Sequence, residues 1–220
     1  TWCVYYLKIL VVTKSYKAHL VLSLMEKLIN YFKKFWDFLK KDTWTSLILT
    51  LAIAFILIKF LFFPGLSFLM GTNLPIVIVE SCSMYHFENG FEKIFSENSL
   101  YNNSLIDLED TDSWDFQNGL NKGDVIFVVG ARNIEVGDVI IFNGDTIHPY
   151  PLIHRVIRAE KTYGTKGDNY KTNSHQLNSE RVINDGDVVG RALFKLPAIG
   201  WVKLIFFEGS KNNKDKGPCN

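Results

Sequence analysis

The sequence predicts a mainly β protein, in which an antiparallel sheet or small barrel forms one domain behind an N-terminal transmembrane helix. One long apolar run lies near the N-terminus, and from Leu74 onward short β-branched runs alternate with Gly, Asp and Asn. With 220 residues the chain has room for one sizeable domain beside a membrane segment. Its formal net charge of +1 gives it no overall polybasic character, so we expect no nucleic-acid partner.

The apolar run extends over residues 44–63 and contains a single charge, Lys59. At about 1.5 Å of rise per residue, a helix of this length spans roughly the 30 Å hydrocarbon core of a bilayer. A buried soluble helix is the alternative, but soluble helices seldom stay apolar on every face for so long. We therefore predict a transmembrane helix at 43–63 and expect Pro64 and Gly65 to end it.

Residues 1–42 form a basic segment that holds eight lysines and three acidic residues, a local net charge of +5. By the positive-inside rule such a segment stays on the cytoplasmic side. Its part at 18–42 has apolar residues with a 3.6-residue period, typical of an amphipathic helix in an anionic membrane interface or of a plain extension of the spanning helix. The prediction is a single-pass protein of the cell membrane, with the lipid bilayer as partner and the remainder extracytoplasmic.

The extracytoplasmic domain is expected over residues 64–210, and a polar tail follows at 211–220. We predict strands where β-branched runs occur, at residues 75–80, 124–129, 138–142, 152–157, 187–194 and 201–207. Three of these runs follow a Gly-Asp-Val triplet. We interpret the triplets as turns, because glycine accepts positive φ and aspartate can hold a turn through its side chain.

A polar stretch over residues 87–121 interrupts the strand pattern with eight acidic residues and one lysine. Long stretches without strand pattern are usually surface excursions or lids, so we interpret this one as an insertion. It contains the sequon Asn102-Asn103-Ser104, which would face outward in the predicted topology.

The cysteines and histidines give no sign of a metal site. Cys3, Cys82 and Cys219 lie too far apart for a CxxC pair, and their odd number does not suggest a disulfide framework. The five histidines form no HExxH motif and no i, i+4 pair. We therefore expect no metal and no other cofactor.

Three short segments carry side chains suited to nucleophilic catalysis. In VESCSMYH, Ser83 follows an apolar strand, and a serine hydroxyl needs a neighbouring base to become a nucleophile. In PLIHRVI, His154 can accept and return a proton near neutral pH. In TKGDN, Asp168 could fix the imidazole tautomer. Each segment is weak evidence alone, since a strand histidine is more often structural and Gly-Asp-Asn is more often a turn.

In this order the segments resemble the signal peptidase I family, specifically its archaeal and endoplasmic-reticulum branch. That branch has an N-terminal membrane anchor, a V-x-S-G-S-M-x-P serine box, a G-D-V strand, an I-H-R-V box, a T-K-G-D-N box, and a closing V-G strand followed by P-x-x-G-x-V. The matching residues here are Val79, Ser81, Ser83 and Met84; 123–125 or 137–139; 153–156; 165–169; Val189 and Gly190; and Pro197, Gly200 and Val202. The resemblance covers roughly residues 44–207.

The resemblance implies a membrane-bound serine endopeptidase that removes signal peptides from secretory preproteins with small residues at −1 and −3. It implies Ser83 as nucleophile, His154 as general base and acid, Asp168 as support for the histidine, and an oxyanion hole made by the Ser83 N–H and the Ser81 hydroxyl. Secretion machinery is a further implied partner. The bacterial branch of the family uses a lysine where the histidine stands, which makes Lys166 an alternative base.

The chain also departs from the family pattern. Cys82 stands in place of the usual glycine, which leaves a reactive-cysteine role as a minor alternative, and His86 stands in place of the usual proline. The second aspartate that the family commonly has is Ser174 here. Asp168 then takes over, a nearby acid such as Glu180 reaches the histidine, or activity is reduced. These changes keep a second hypothesis open, a catalytically impaired module that binds exported chains or a secretion complex.

Overall fold

The computed structural model describes residues 23–87, 90–97, 101, 104, 106–147, 149–207, 209 and 216–219. Residues 1–22 and the two asparagines of the sequon lie outside this description. The chain divides into two compact units, Thr1–Phe62 and Phe63–Asn220.

The N-terminal unit is helical over its described part. Helix α1 covers residues 23–39, and α2 covers Trp44–Leu57. Helix α2 begins at Thr43, whose side-chain oxygen accepts the backbone N–H of Ser46 at 3.3 Å as an N-cap. A five-residue π-helical segment, Ile58–Phe62, follows directly.

A continuous helix over Trp44–Met70 contains an 18-residue stretch with a mean hydropathy of 2.6, and it is the one helix among the described residues that is long and apolar enough to cross a membrane. Its last part is α3, Phe63–Met70. The prediction that Pro64 and Gly65 end the helix is therefore wrong. Proline lacks an N–H and clashes with the carbonyl four residues earlier, but here it follows the π-helical segment and lies in the first turn of α3, where proline is tolerated. The helix ends instead at Gly71, which has a φ of +67°.

The second unit is built on a six-stranded sheet. Its strands are β1 (Ile76–Ile78), β2 (Val125–Val129), β3 (Val139–Phe142), β4 (Leu152–Ala159), β5 (Tyr163–Lys166) and β6 (Val188–Leu196). Their spatial order is β1-β2-β6-β3-β4-β5, and every neighbouring pair is antiparallel. The predicted antiparallel β domain is confirmed.

Short helices complete the unit. They are α4 (Gly90–Glu97), α5 (Asn178–Arg181), α6 (Trp201–Leu204) and the 3-10 turns Leu108–Ser113 and Asp185–Asp187. The strand predicted at 201–207 is wrong, because short apolar runs fit either period. In α6, Leu204 is buried while Val202 and Ile205 are exposed, which is a helical pattern. Strand β5 was not among the predicted strands.

The Gly-Asp-Val triplets are turns, as predicted. In each one the aspartate carboxylate accepts the backbone N–H of the residue three positions earlier, at 2.9 Å for Asp124, 2.9 Å for Asp138 and 3.4 Å for Asp187. Gly123 and Gly137 have φ of +92° and +99°, a region that favours glycine. A Cβ on Gly137 would also lie 2.3 Å from the ring of Trp114.

The polar stretch at 87–121 does more than cover the surface. Its apolar side chains form a buried cluster with one residue of β4, made of Phe91, Ile94, Tyr101, Ile106, Trp114 and Ile157. A separate cluster joins Ile140 and Phe142 of β3 and Val156 of β4 to Ile183, which follows α5. Val156 and Ile157 are successive residues, so the two clusters lie on opposite faces of β4.

Candidate active site

The candidate nucleophile lies in a loop that follows β1. The hydroxyl oxygens of Ser81 and Ser83 are 3.2 Å apart. Ser81 is exposed and Ser83 is half-buried. The next residue, Met84, is fully buried in the main core and anchors the loop to the sheet. The loop therefore presents two hydroxyls beside each other from a fixed base.

The segment after β5 holds this serine loop through the backbone. Asn169 donates its backbone N–H to the carbonyl of Ser83 at 2.9 Å and its side-chain amide to the carbonyl of Cys82 at 2.8 Å. A Cβ on Gly167 would lie 2.7 Å from the Ser83 carbonyl oxygen. Because no side chain fits there, glycine at this position permits the close approach of the two segments.

His154 lies on β4 with its side chain 3% exposed. It pairs with Ile140 of β3, and the final ladder pair between β4 and β5 joins Arg155 to Lys166. The antiparallel register then brings Gly167 next to His154. Since Gly167 also contacts the Ser83 carbonyl, the serine loop and the histidine strand meet at the end of β5.

No hydrogen bond joins the Ser83 hydroxyl to the His154 ring among the residues that the structure describes. The described partner of the Ser83 hydroxyl is the hydroxyl of Ser81. Catalytic hydrogen bonds are often long or poorly aligned without substrate, so this geometry is compatible with a serine and base pair.

Glu180 of α5 is the acid next to His154. Its Oε1 lies 2.5 Å from Nδ1 of the imidazole, and both side chains are buried, at 0% and 3% exposed. The two atoms are in close contact, but their geometry is not that of a hydrogen bond. The other carboxylate oxygen of Glu180 accepts the backbone N–H of Leu177 at 2.6 Å, which fixes the carboxylate in place.

Asp168 has different partners. Its carboxylate accepts hydrogen bonds from Arg155 at 2.8 Å, from Tyr101 at 3.2 Å and from His86 at 2.8 Å. The other ring nitrogen of His86 faces the carbonyl of Gln117 at 2.9 Å. The expected contact between Asp168 and the catalytic histidine is replaced by a pair with arginine, and the catalytic role assigned to Asp168 stays a prediction.

Arg155 is fully buried and its donors are satisfied. Beyond Asp168 it donates to the carbonyls of Gly137 at 2.7 Å and Asp115 at 2.9 Å. Its guanidinium carbon lies 5.0 Å and 5.3 Å from the ring centroids of Phe91 and Trp114, within cation-π range. The polar stretch thus encloses a buried charge beside the site.

Strand geometry explains why the two acids separate. Successive side chains of a strand point to opposite faces, so His154 and Arg155 face opposite sides of β4. Arg155 lies on the face of the aromatic cluster, and Asp168 pairs with it there. His154 lies on the face of Val156, where Glu180 reaches it.

The buried groups with shifted pKa values include Asp168 and Lys166. Burial alone would raise the pKa of Asp168, but the guanidinium of Arg155 and the hydrogen bond from His86 hold that pKa well below its usual range. Burial lowers the pKa of Lys166 to about 8, although Asp168 and Glu180 act in the opposite direction. The ammonium of Lys166 donates to the carbonyl of Gly167 at 2.7 Å.

A disulfide joins Cys82 to Cys219 with 5.6 Å between the Cα atoms. The number and spacing of the cysteines did not suggest a disulfide framework, but this pair is bonded, so Cys82 is not a free reactive thiol. Cys82 is also absent from the described residues with positive φ, so its side chain causes no strain in place of the usual glycine. The disulfide ties the serine loop to the C-terminal segment.

Sequence reasoning named Glu180 only as one of three possibilities and did not find the roles of Arg155, His86 and Tyr101. Glu180 has a weak signal, since it is the first acid after Asp168 in a stretch that lacks the second aspartate. The signal for Arg155 was clearer. It lies in a strand next to the histidine, so it faces the opposite side of that strand, where a buried charge requires a partner.

Comparison with known proteins agrees with the resemblance in the sequence. The chain is 27% identical over 163 residues to the signal peptidase complex catalytic subunit SEC11 of Komagataella phaffii, which covers 68% of this chain and 76% of the relative. It is 28% identical to SEC11 of Eremothecium gossypii over 74% of this chain and 81% of the relative. SEC11 of Lachancea thermotolerans is 28% identical over 68% of this chain and 76% of the relative.

No family model matches the chain. The three relatives are fungal, so they do not support the archaeal type that the sequence suggested.

Proposed function

We propose that this chain, which belongs to the endoplasmic-reticulum branch of the signal peptidase I family, is a membrane-anchored serine endopeptidase that removes signal peptides from secretory preproteins. The relatives in that branch are catalytic subunits of a signal peptidase complex, which favours a membrane complex as the setting of the activity here. The observation that carries the proposal is the meeting of the Ser83 loop and the His154 strand at Gly167.

In the first half of the reaction, the Ser83 hydroxyl attacks the scissile carbonyl as His154 takes its proton. The tetrahedral intermediate collapses when the protonated imidazole gives that proton to the leaving amine, which releases the mature chain. The signal peptide stays esterified to Ser83. A water molecule, deprotonated by His154, then hydrolyses the ester and regenerates the serine.

The negative charge of the intermediate needs hydrogen-bond donors. The backbone N–H of Ser83 and the hydroxyl of Ser81 are the proposed pair, and the 3.2 Å between the two serine hydroxyls supports placing Ser81 beside the reacting oxygen. One such donor contributes about 2.7–4 kcal/mol in a serine protease. Ser81 acts mainly on kcat because the charge exists only in the transition state.

Substrates are proposed to carry small residues at −1 and −3, as the family resemblance implies. The helix Trp44–Met70 would hold the active site near the end of a signal helix in the same bilayer. The branch favours the endoplasmic reticulum membrane over the cell membrane that the sequence suggested. The N-terminus is proposed to face the cytoplasm.

The disulfide supports this side of the membrane for the catalytic domain. Disulfides persist in the lumen of the endoplasmic reticulum and outside cells but are rare in the cytosol. A domain with a Cys82–Cys219 bond therefore fits the non-cytoplasmic side.

The alternative, an impaired module that only binds exported chains, is not favoured. The relatives are named as catalytic subunits, and both the serine pair and the buried histidine are in place here. A base other than His154 is the remaining alternative, and Lys166 is the residue to test.

The proposal is tested by cleavage of a preprotein with Ala at −1 and −3 by the full-length chain in detergent. Ser83→Ala should lower kcat by at least about 10⁴-fold, because the nucleophile is gone. Ser96→Ala, an exposed serine on α4, is the matched control and should leave the rate unchanged. Equal rates for Ser83→Ala and the wild type would refute the proposal, and so would efficient cleavage of a preprotein with Phe at −1.

A further inference from the structure

We infer that Glu180, and not Asp168, is the residue that positions His154 for catalysis. This inference rests on the proposed function and adds to it a role for a glutamate twelve positions beyond the aspartate that the family pattern points to. Its basis is the 2.5 Å contact between Oε1 of Glu180 and Nδ1 of His154, with both side chains buried.

The carboxylate is rigidly held. Glu180 lies on α5, where its second oxygen accepts the Leu177 N–H at 2.6 Å. The segment is fastened to β5 on both sides, since the Gln176 side chain donates to the Thr165 carbonyl at 2.8 Å and a two-way backbone bridge joins Tyr163 to Ile183 at 2.9 Å. A carboxylate fixed in this way can hold an imidazole in one orientation.

The alternative acid is committed elsewhere. Asp168 bonds to Arg155, His86 and Tyr101 on the opposite face of β4. To reach His154 it would have to leave a buried guanidinium without its partner, which is strongly unfavourable. Asp168 instead sets the position of the following residue, Asn169, whose two hydrogen bonds hold the serine loop.

The chemical consequence concerns the tautomer of His154. An anionic carboxylate oxygen 2.5 Å from Nδ1 favours a proton on that nitrogen, so the neutral ring carries its proton on Nδ1, and Nε2 is the atom that takes the proton of Ser83. The same carboxylate stabilises the imidazolium that forms during attack. A neutral amide at this place could donate to Nδ1, which would move the proton to Nε2 and block the base.

The test is Glu180→Gln, which keeps the size and the shape of the side chain. We expect kcat for preprotein cleavage to fall by about 10²–10⁴-fold, as happens when a triad carboxylate becomes an amide, with KM changed less than about threefold. Glu180→Asp should recover part of the loss because it restores the charge. Glu160→Gln, the same change at an exposed position, is the control and should have no effect.

A second readout separates positioning from stability. In ¹⁵N-histidine-labelled protein, with His154→Gln to identify the signals, the wild-type ring should carry its proton on Nδ1 and the Glu180→Gln ring on Nε2. Wild-type cleavage by Glu180→Gln, or an unchanged tautomer in a folded but slow variant, overturns the inference. So does an Nε2-protonated wild type, a result that decides the matter even if the variant does not fold.

Failure of the proposed function looks different. If Ser83→Ala cleaves as fast as the wild type, the peptidase proposal fails, while the tautomer measurement still decides whether Glu180 holds the His154 ring.

Discussion

The two faces of β4 carry two buried acid and base pairs built for different purposes. On one face Arg155 and Asp168 form a buried hydrogen-bonded cluster, in which Tyr101 and His86 also donate to the carboxylate. On the other face Glu180 contacts Nδ1 of His154, and the second ring nitrogen of the histidine is the one proposed to accept the proton of Ser83. A cluster whose polar groups are all paired stabilises structure, whereas a histidine beside a carboxylate can transfer a proton.

Asp168→Asn should give the largest effect on stability among changes to the two faces of β4. This change leaves the buried Arg155 charge without its anion and should lower the free energy of unfolding by about 3–5 kcal/mol. Thermal unfolding of the detergent-solubilised chain, followed by near-UV circular dichroism, measures it. Asp112→Asn, at an exposed position, is the matched control and should stay within about 0.5 kcal/mol of the wild type.

The same aspartate predicts how stability depends on acid. Because the pKa of Asp168 is held well below its usual value near 3.8, its contribution is present above that value and is lost as pH falls further. The wild type should therefore lose more stability than Asp168→Asn between about pH 5 and pH 2. Parallel curves for the two proteins would show that the Arg155 cluster is not what the acid disrupts.

Lys166→Met should have a smaller effect, on how the free energy of unfolding depends on alkaline pH. The folded pKa of Lys166 is about 8 against an ordinary 10.5, so between these values the unfolded chain holds a proton that the folded chain has released. Wild-type stability should rise with pH through this window, by about 2 kcal/mol between pH 7.5 and 9.5 at roughly 1.4 kcal/mol per unit. This range stays below the usual tyrosine pKa. The variant should lack the rise, and an equal rise in both proteins would contradict a buried Lys166.

The sequence was a good guide where periodicity and turn chemistry decide the structure. It predicted the apolar helix, five of the six strands and the turn role of the Gly-Asp-Val aspartates. It failed where a short apolar run fits two periods, as at 201–207, and where the effect of Pro64 depended on a preceding π-helical segment.

In the candidate site, too, some residues could be predicted from the sequence and others could not. Ser83 and His154 could be proposed from their segments and from the order of those segments. The partners of His154 could not, because α5 reaches β4 only through the fold and no local pattern marks Glu180 as buried. The disulfide was missed for a related reason, since Cys82 and Cys219 are 137 positions apart and only the folded chain brings them together.

His154, on the face of β4 that Glu180 reaches, is the proposed base for Ser83, and Lys166 is the alternative base. Single-turnover cleavage of a small-x-small preprotein by His154→Ala and Lys166→Met, each checked for folding, tests it most directly. We expect His154→Ala to lose at least about 10³-fold in rate, while Lys166→Met keeps at least about a tenth of the wild-type rate. Loss of activity in Lys166→Met together with retained activity in His154→Ala would contradict it.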